Sequence, residues 1–156
     1  MKRRSFIYNS SLIAMSMGVF GKIKWDGSHW VGEDPTTTDI LGPFYRPGAP
    51  LRTELVQAGT KGQLLRFSGT VFAKDGKTPL KDSLVEIWHC NEQGVYDNTS
   101  DDYVYRAAAK TGSDGKYHFN TILPVPYNVG GTTVRPAHIH MRISGNSRQD
   151  LVTQVY

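Results

Sequence analysis

The chain has 156 residues, enough for one domain with a real hydrophobic core and too few for two of ordinary size. Its formal charge of +4 sits largely at the N-terminus: Lys2, Arg3 and Arg4 lie in a first segment without Asp or Glu, and setting those three aside leaves +1. A nearly neutral remainder lacks the electrostatic footprint of a nucleic-acid binder, and a single cysteine, Cys90, excludes an intramolecular disulfide and argues against a thiolate zinc site.

Residues 1–21 read as an export signal. Lys2-Arg3-Arg4-Ser5-Phe6-Ile7 precedes a moderately apolar run from Ser11 to Phe20, short of the roughly 20 apolar residues that span a bilayer. The paired arginines followed by Ser-Phe-Ile resemble a twin-arginine signal, so the expected location is periplasmic or extracellular, without a stable membrane span. Residues 22–63 read as a strap and linker. The stretch 22–40 is polar and irregular, and Asp34-Pro35 and Gly42-Pro43 mark turns.

From residue 64 to 156 the pattern becomes all-β. Leu65 to Phe72 alternates and is rich in strand formers, and Asp75-Gly76 is a turn. Leu84 to Cys90 is the second strand, Lys116 to Phe119 the third, Ala137 to Ile143 the fourth and Leu151 to Tyr156 the fifth. Short strands separated by Gly and Asp turns predict an antiparallel β-sandwich with an irregular N-terminal strap. The last strand stops without a turn, which reads as a C-terminally truncated core.

Chemistry concentrates near the end of the chain. His138 and His140 are two apart on a predicted strand, so their rings share one face, while Ile139, Met141 and Ile143 face the other way. This spacing suits a metal pincer. No Glu follows His140, which weakens a two-His-one-carboxylate Fe(II) site. His29, His89 and His118 have no supporting motif for a three-His zinc site. Tyr96, in a turn, and Tyr127, ending Leu123-Pro124-Val125-Pro126-Tyr127, are the remaining donors. A phenol with an ordinary pKa of about 10 ionises at neutral pH only beside a strong Lewis acid, a requirement that Fe(III) meets better than Zn(II) or Fe(II).

Three blocks carry a family resemblance. They are Asp39-Ile40-Leu41-Gly42-Pro43-Phe44-Tyr45-Arg46-Pro47-Gly48-Ala49-Pro50; Val85-Glu86-Ile87-Trp88-His89-Cys90-Asn91 running to Gly94-Val95-Tyr96-Asp97; and Asp114-Gly115-Lys116-Tyr117 through Thr121-Ile122-Leu123-Pro124-Val125-Pro126-Tyr127 to Arg135-Pro136-Ala137-His138-Ile139-His140. Together they resemble the intradiol ring-cleavage dioxygenases, the family of catechol 1,2-dioxygenase and protocatechuate 3,4-dioxygenase, over roughly residues 35–156.

The resemblance implies a non-heme Fe(III) cofactor with a small aromatic diol and O2 as partners, and ring opening to a cis,cis-muconate-type diacid. Tyr96, Tyr127, His138 and His140 match the metal ligands, with Tyr127 the phenolate that leaves when substrate chelates. Arg135 matches an arginine that stabilises negative charge on the substrate, and Gln154 a glutamine near the ring. Phe44 and Tyr45 are candidate pocket walls. The charges are consistent with this: Fe(III) with two phenolates and a hydroxide is neutral, and stays neutral when a catecholate dianion replaces one phenolate and the hydroxide.

The chain departs from larger members in having no room for an N-terminal helical dimerisation region and only a short stretch, Asn128 to Val134, between Tyr127 and Arg135. Substrate identity and homo-oligomerisation stay open. The alternative function is an exported, non-catalytic β-sandwich binding or structural module on the same scaffold.

Overall fold

Ten short strands and no helix make up the computed structural model, which describes residues 23–25, 30–32, 36, 38–145 and 148–156. The expected export signal and His29 lie outside the described residues. Within the segment read as an irregular strap, β1 (Ile23–Trp25) and β2 (Trp30–Gly32) pair antiparallel in a small unit of their own.

The second unit holds the remaining strands. β3 (Leu64–Thr70), β4 (Leu84–Trp88), β6 (Lys116–Ile122), β9 (Ile139–Ser144) and β10 (Leu151–Val155) lie where alternation places strands. Three more strands carry little sequence signal: β5 (Arg106–Lys110), β7 (Tyr127–Gly130) and β8 (Thr133–Arg135). β5 reads Arg-Ala-Ala-Ala-Lys, and alanine is depleted in strands, so propensity does not find it.

One sheet is antiparallel in the order β10-β9-β4-β5, and β3 pairs with β6 in the facing layer. Alternation puts Val85, Ile87, Ala107, Ala109, Ile139 and Met141 on the inner face of the first sheet, where they pack with Phe119 and Ile122 of β6. Each fully buried Ile or Phe side chain there contributes roughly 1.5–3 kcal/mol relative to exposure. The inner face is therefore spent on packing, and the other face of the same four strands is free to carry polar chemistry.

The strap staples the two layers along one side. Ala108 exchanges backbone hydrogen bonds with Pro50 and Arg52, and Asn120 does so with Thr53 and Leu55. Leu51 and Glu54 thus form parallel bridges to Ala108 and Asn120.

Candidate metal centre

The outer face of the four-stranded sheet brings the candidate residues together. His140 on β9 and His138, one residue before the strand begins, bring their Nε2 atoms to 3.1 Å apart. The Nδ1 of His138 is 2.7 Å from the Pro136 carbonyl oxygen; this contact makes Nδ1 the protonated nitrogen and turns the Nε2 lone pair inward. Tyr96 Oη lies 3.2 Å from the same His138 Nε2.

Tyr96 comes from a turn. The Asn91 side chain accepts from the backbone N–H groups of Gln93 and Val95, and Gly94 sits at φ +78°. A Cβ on Gly94 would lie 2.8 Å from Tyr127 Cβ, so the close approach of the two tyrosine segments requires glycine. Phe44 stacks on the Tyr96 ring at 4.3 Å and 10°. The buried Arg106 ties these pieces together, donating to the Asp97 and Phe44 carbonyls and to the Asn98 side chain.

Tyr127 arrives by a route that spacing does not disclose. β7 and β8 form a hairpin in which Tyr127 is the direct cross-strand partner of Arg135. Its ring lies 5.6 Å from both Tyr96 and His138. Its hydroxyl is buried with no hydrogen-bond partner among the described residues, a position that costs about 1–3 kcal/mol unless something satisfies it.

Comparison with known proteins identifies the family. The model of a dioxygenase family matches residues 40–156. Catechol 1,2-dioxygenase 2 of Acinetobacter lwoffii is 37% identical over 79% of this chain and 51% of its own length. Chlorocatechol 1,2-dioxygenase of Rhodococcus opacus is 33% identical over 78% of this chain and 56% of its own. The dioxygenase domain of a dioxygenase–carbohydrate-binding fusion from Streptomyces sp. SirexAA-E superposes with a TM-score of 0.69 at 36% identity, covering 79% of this chain and 75% of that one.

The chain belongs to the intradiol dioxygenase family. It spans about half the length of the curated relatives it matches.

The electrostatics of this dioxygenase site favour neutral imidazoles. Burial, then the neighbouring His138, pushes His140 down to about 3, and burial lowers His138 as well. Both nitrogens therefore offer lone pairs at neutral pH. Burial, reinforced by the Tyr127 phenol beside it, pushes the Tyr96 phenol up, so only a strong cation would ionise it. Two neutral imidazoles and two phenols, one of them (Tyr127) with its buried hydroxyl unpartnered among the described residues, are a donor set that fits Fe(III).

A cavity of about 580 Å³ opens beside these groups, lined by Phe44, Val95, Tyr96, Tyr127 and Arg135 among others. Arg135 donates to Gln154 Oε1 at 2.7 Å, and Gln154 Nε2 donates to the Asp39 carboxylate. Arg135 and Gln154 are thus adjacent, and Asp39, which had no role in the sequence reading, joins them.

Of the two residues expected to wall the pocket, Phe44 lines this cavity and Tyr45 does not. Tyr45 instead packs edge-on against Trp88, its hydroxyl taken up by Glu86 and Arg142. The chain turns at Pro43 and Phe44, just after Gly42 at φ +73°, and sends the two side chains apart. His89 is buried and satisfied by Thr121 Oγ1 and the Cys90 carbonyl, and His118 is exposed. Neither joins the centre.

Proposed function

We propose that the chain is the catalytic part of an intradiol dioxygenase that opens a catechol-type ring between its hydroxyl-bearing carbons with O2, giving a cis,cis-muconate-type diacid. The observation that carries this reading is the convergence of Tyr96 Oη and the Nε2 atoms of His138 and His140 within 3.2 Å contacts. The buried, unpartnered hydroxyl of Tyr127 stands beside them.

Tyr96, Tyr127, His138 and His140 would hold Fe(III). Bound there, Fe(III) supplies Lewis acidity that ionises the phenols and the diol and activates the ring toward O2. The protein supplies the rest. Tyr127 accepts one substrate proton at its phenolate oxygen. Arg135, steadied by Gln154 and through it Asp39, faces the negative charge that develops on the substrate oxygens. Phe44 holds the Tyr96 ring flat and walls the cavity.

The test is to load the purified chain with Fe(III) and measure O2 uptake against catechol, protocatechuate, hydroxyquinol and larger plant-derived catechols. Stoichiometric uptake with a diacid product, and a red-burgundy phenolate-to-iron colour, are expected. Colourless, inactive protein after loading would favour the non-catalytic module.

Export belongs to the same proposal. Arg3-Arg4-Ser5-Phe6-Ile7 supports a twin-arginine route, which would let iron enter the folded site before competing metals are met. Arg3→Lys with Arg4→Lys should retain active enzyme in the cytoplasm. Normal export of that double variant would point to the general secretory route.

A further inference from the structure

The candidate centre holds its two imidazoles by different means. His138 has its second nitrogen against the Pro136 carbonyl. The corresponding Nδ1 of His140 is buried with no hydrogen-bond partner among the described residues. A ligating imidazole ordinarily has that nitrogen tied to a carbonyl, carboxylate or water, which fixes the ring plane. His140 must be fixed in another way.

An aromatic face does it. Trp88 on β4 is the direct cross-strand partner of His140 on β9. The two rings lie parallel, 1° apart in plane and 5.0 Å between centroids. Trp88 is braced in turn by Tyr45, edge-on at 5.0 Å. The Tyr45 hydroxyl accepts from Arg142 at 2.9 Å and donates to Glu86 at 3.3 Å. Glu86 and Arg142 form their own 2.8 Å ion pair, and Arg142 is also paired with Asp150. They are cross-strand partners on the same sheet face as Trp88 and His140, so the brace stands on neighbouring rungs of the β4–β9 ladder.

The indole N–H adds a second clue. Trp88 is 2% exposed, and its Nε1 has no hydrogen-bond partner among the described residues. Stranding that group is unfavourable. A leucine would fill apolar volume without that cost. What it could not provide is a flat surface broad enough to cover an imidazole.

We propose that Trp88 is a positioning residue for His140: its ring face sets the imidazole plane so that Nε2 is directed at the donor set, with Tyr45 as the brace. This rests on the iron-site reading above. Face-to-face packing restrains the tilt of the imidazole while leaving both nitrogens unencumbered.

The experiment uses the full chain loaded with Fe(III) and follows iron release to excess chelator by loss of the tyrosinate–iron absorption and by metal analysis. Trp88→Leu should release iron about tenfold faster than the parent, the scale expected for losing an outer support of a metal ligand. Trp88→Phe, which keeps a flat face and removes the stranded N–H, should stay close to the parent. Ile87→Ala, on the same strand but facing the core, should lower the melting temperature without speeding release. Parental release from Trp88→Leu overturns the proposal and leaves the iron reading intact. So does release from Trp88→Phe as fast as from Trp88→Leu. Should Trp88→Leu fail to fold, Tyr45→Leu carries the test: faster release supports the brace, and parental release overturns it. A parent chain that takes up no Fe(III) overturns both readings.

Discussion

At the residue scale, the four candidate donors are not equivalent. His138 and His140 converge and have no substitute among the described histidines: His89 is turned to Thr121, and His118 is exposed. His138→Ala and His140→Ala should each abolish iron retention, and full occupancy by metal analysis in either variant would remove them from the ligand set. The tyrosines differ in how they are held. Tyr96 is buried, stacked by Phe44 and in contact with His138, whereas Tyr127 is half-buried on a short hairpin and its hydroxyl has no hydrogen-bond partner among the described residues. Tyr127 is the phenolate we propose to leave when substrate binds. Tyr127→Phe should keep some iron but bind catechol abnormally, because the base that takes a substrate proton is gone. Tyr96→Phe should change the iron spectrum both before and after substrate. Visible spectra of the two variants with and without a catechol decide this. Loss of all phenolate-to-iron absorbance on substrate addition in the Tyr127 variant, with its persistence in the Tyr96 variant, reverses the roles.

At the element scale, the site depends on turns as much as on strands. Gly94 adopts φ +78° and its missing Cβ leaves room for Tyr127. Gly59, at φ +85°, has nothing within 4 Å of that position. Alanine at either position should cost about 1–2 kcal/mol for the left-handed backbone. Only Gly94→Ala should also displace Tyr127. Denaturation should therefore show a larger loss for Gly94→Ala than for Gly59→Ala, while iron loading and catechol affinity fall in Gly94→Ala alone. Equal behaviour would mean that the tyrosine segments can yield. The hairpin of β7 and β8 has a comparable role, since its pairing of Tyr127 with Arg135 sets a candidate ligand beside the candidate charge-stabilising group. The strap contributes Phe44 and Asp39 to one place and Tyr45 to another, and its backbone is held by β5 through the Ala108 main chain.

At the scale of the whole molecule, burial of His89 links folding to acid. Burial pushes its pKa down to about 4, below the ordinary 6.5. A histidine kept neutral in the fold but free to protonate when unfolded contributes stability that is complete above about pH 6.5 and lost as pH falls toward 4. The displacement corresponds to roughly 3 kcal/mol. The stability gap between the parent and His89→Gln should narrow by about that much between pH 7 and pH 4 in urea denaturation. A constant gap would show that His89 is not held neutral.

The sequence by itself determined the all-β class, five of the strands and the family, because alternation is a local property and the Arg135-to-His140 block is contiguous. It also placed both histidines on one face, since strand geometry has a period of two. Only the tertiary structure decided what depends on contacts between distant segments. β5 is a strand because the strap and β4 pair with it, against the weak preference of its alanines. Tyr127 meets Arg135 because a hairpin closes between them. Asp39 joins Gln154, and Tyr45 leaves the pocket for Trp88, because the strap crosses the sheet in one register. Side-chain direction along an extended segment is set by what that segment lies against, and a linear pattern carries no record of that partner.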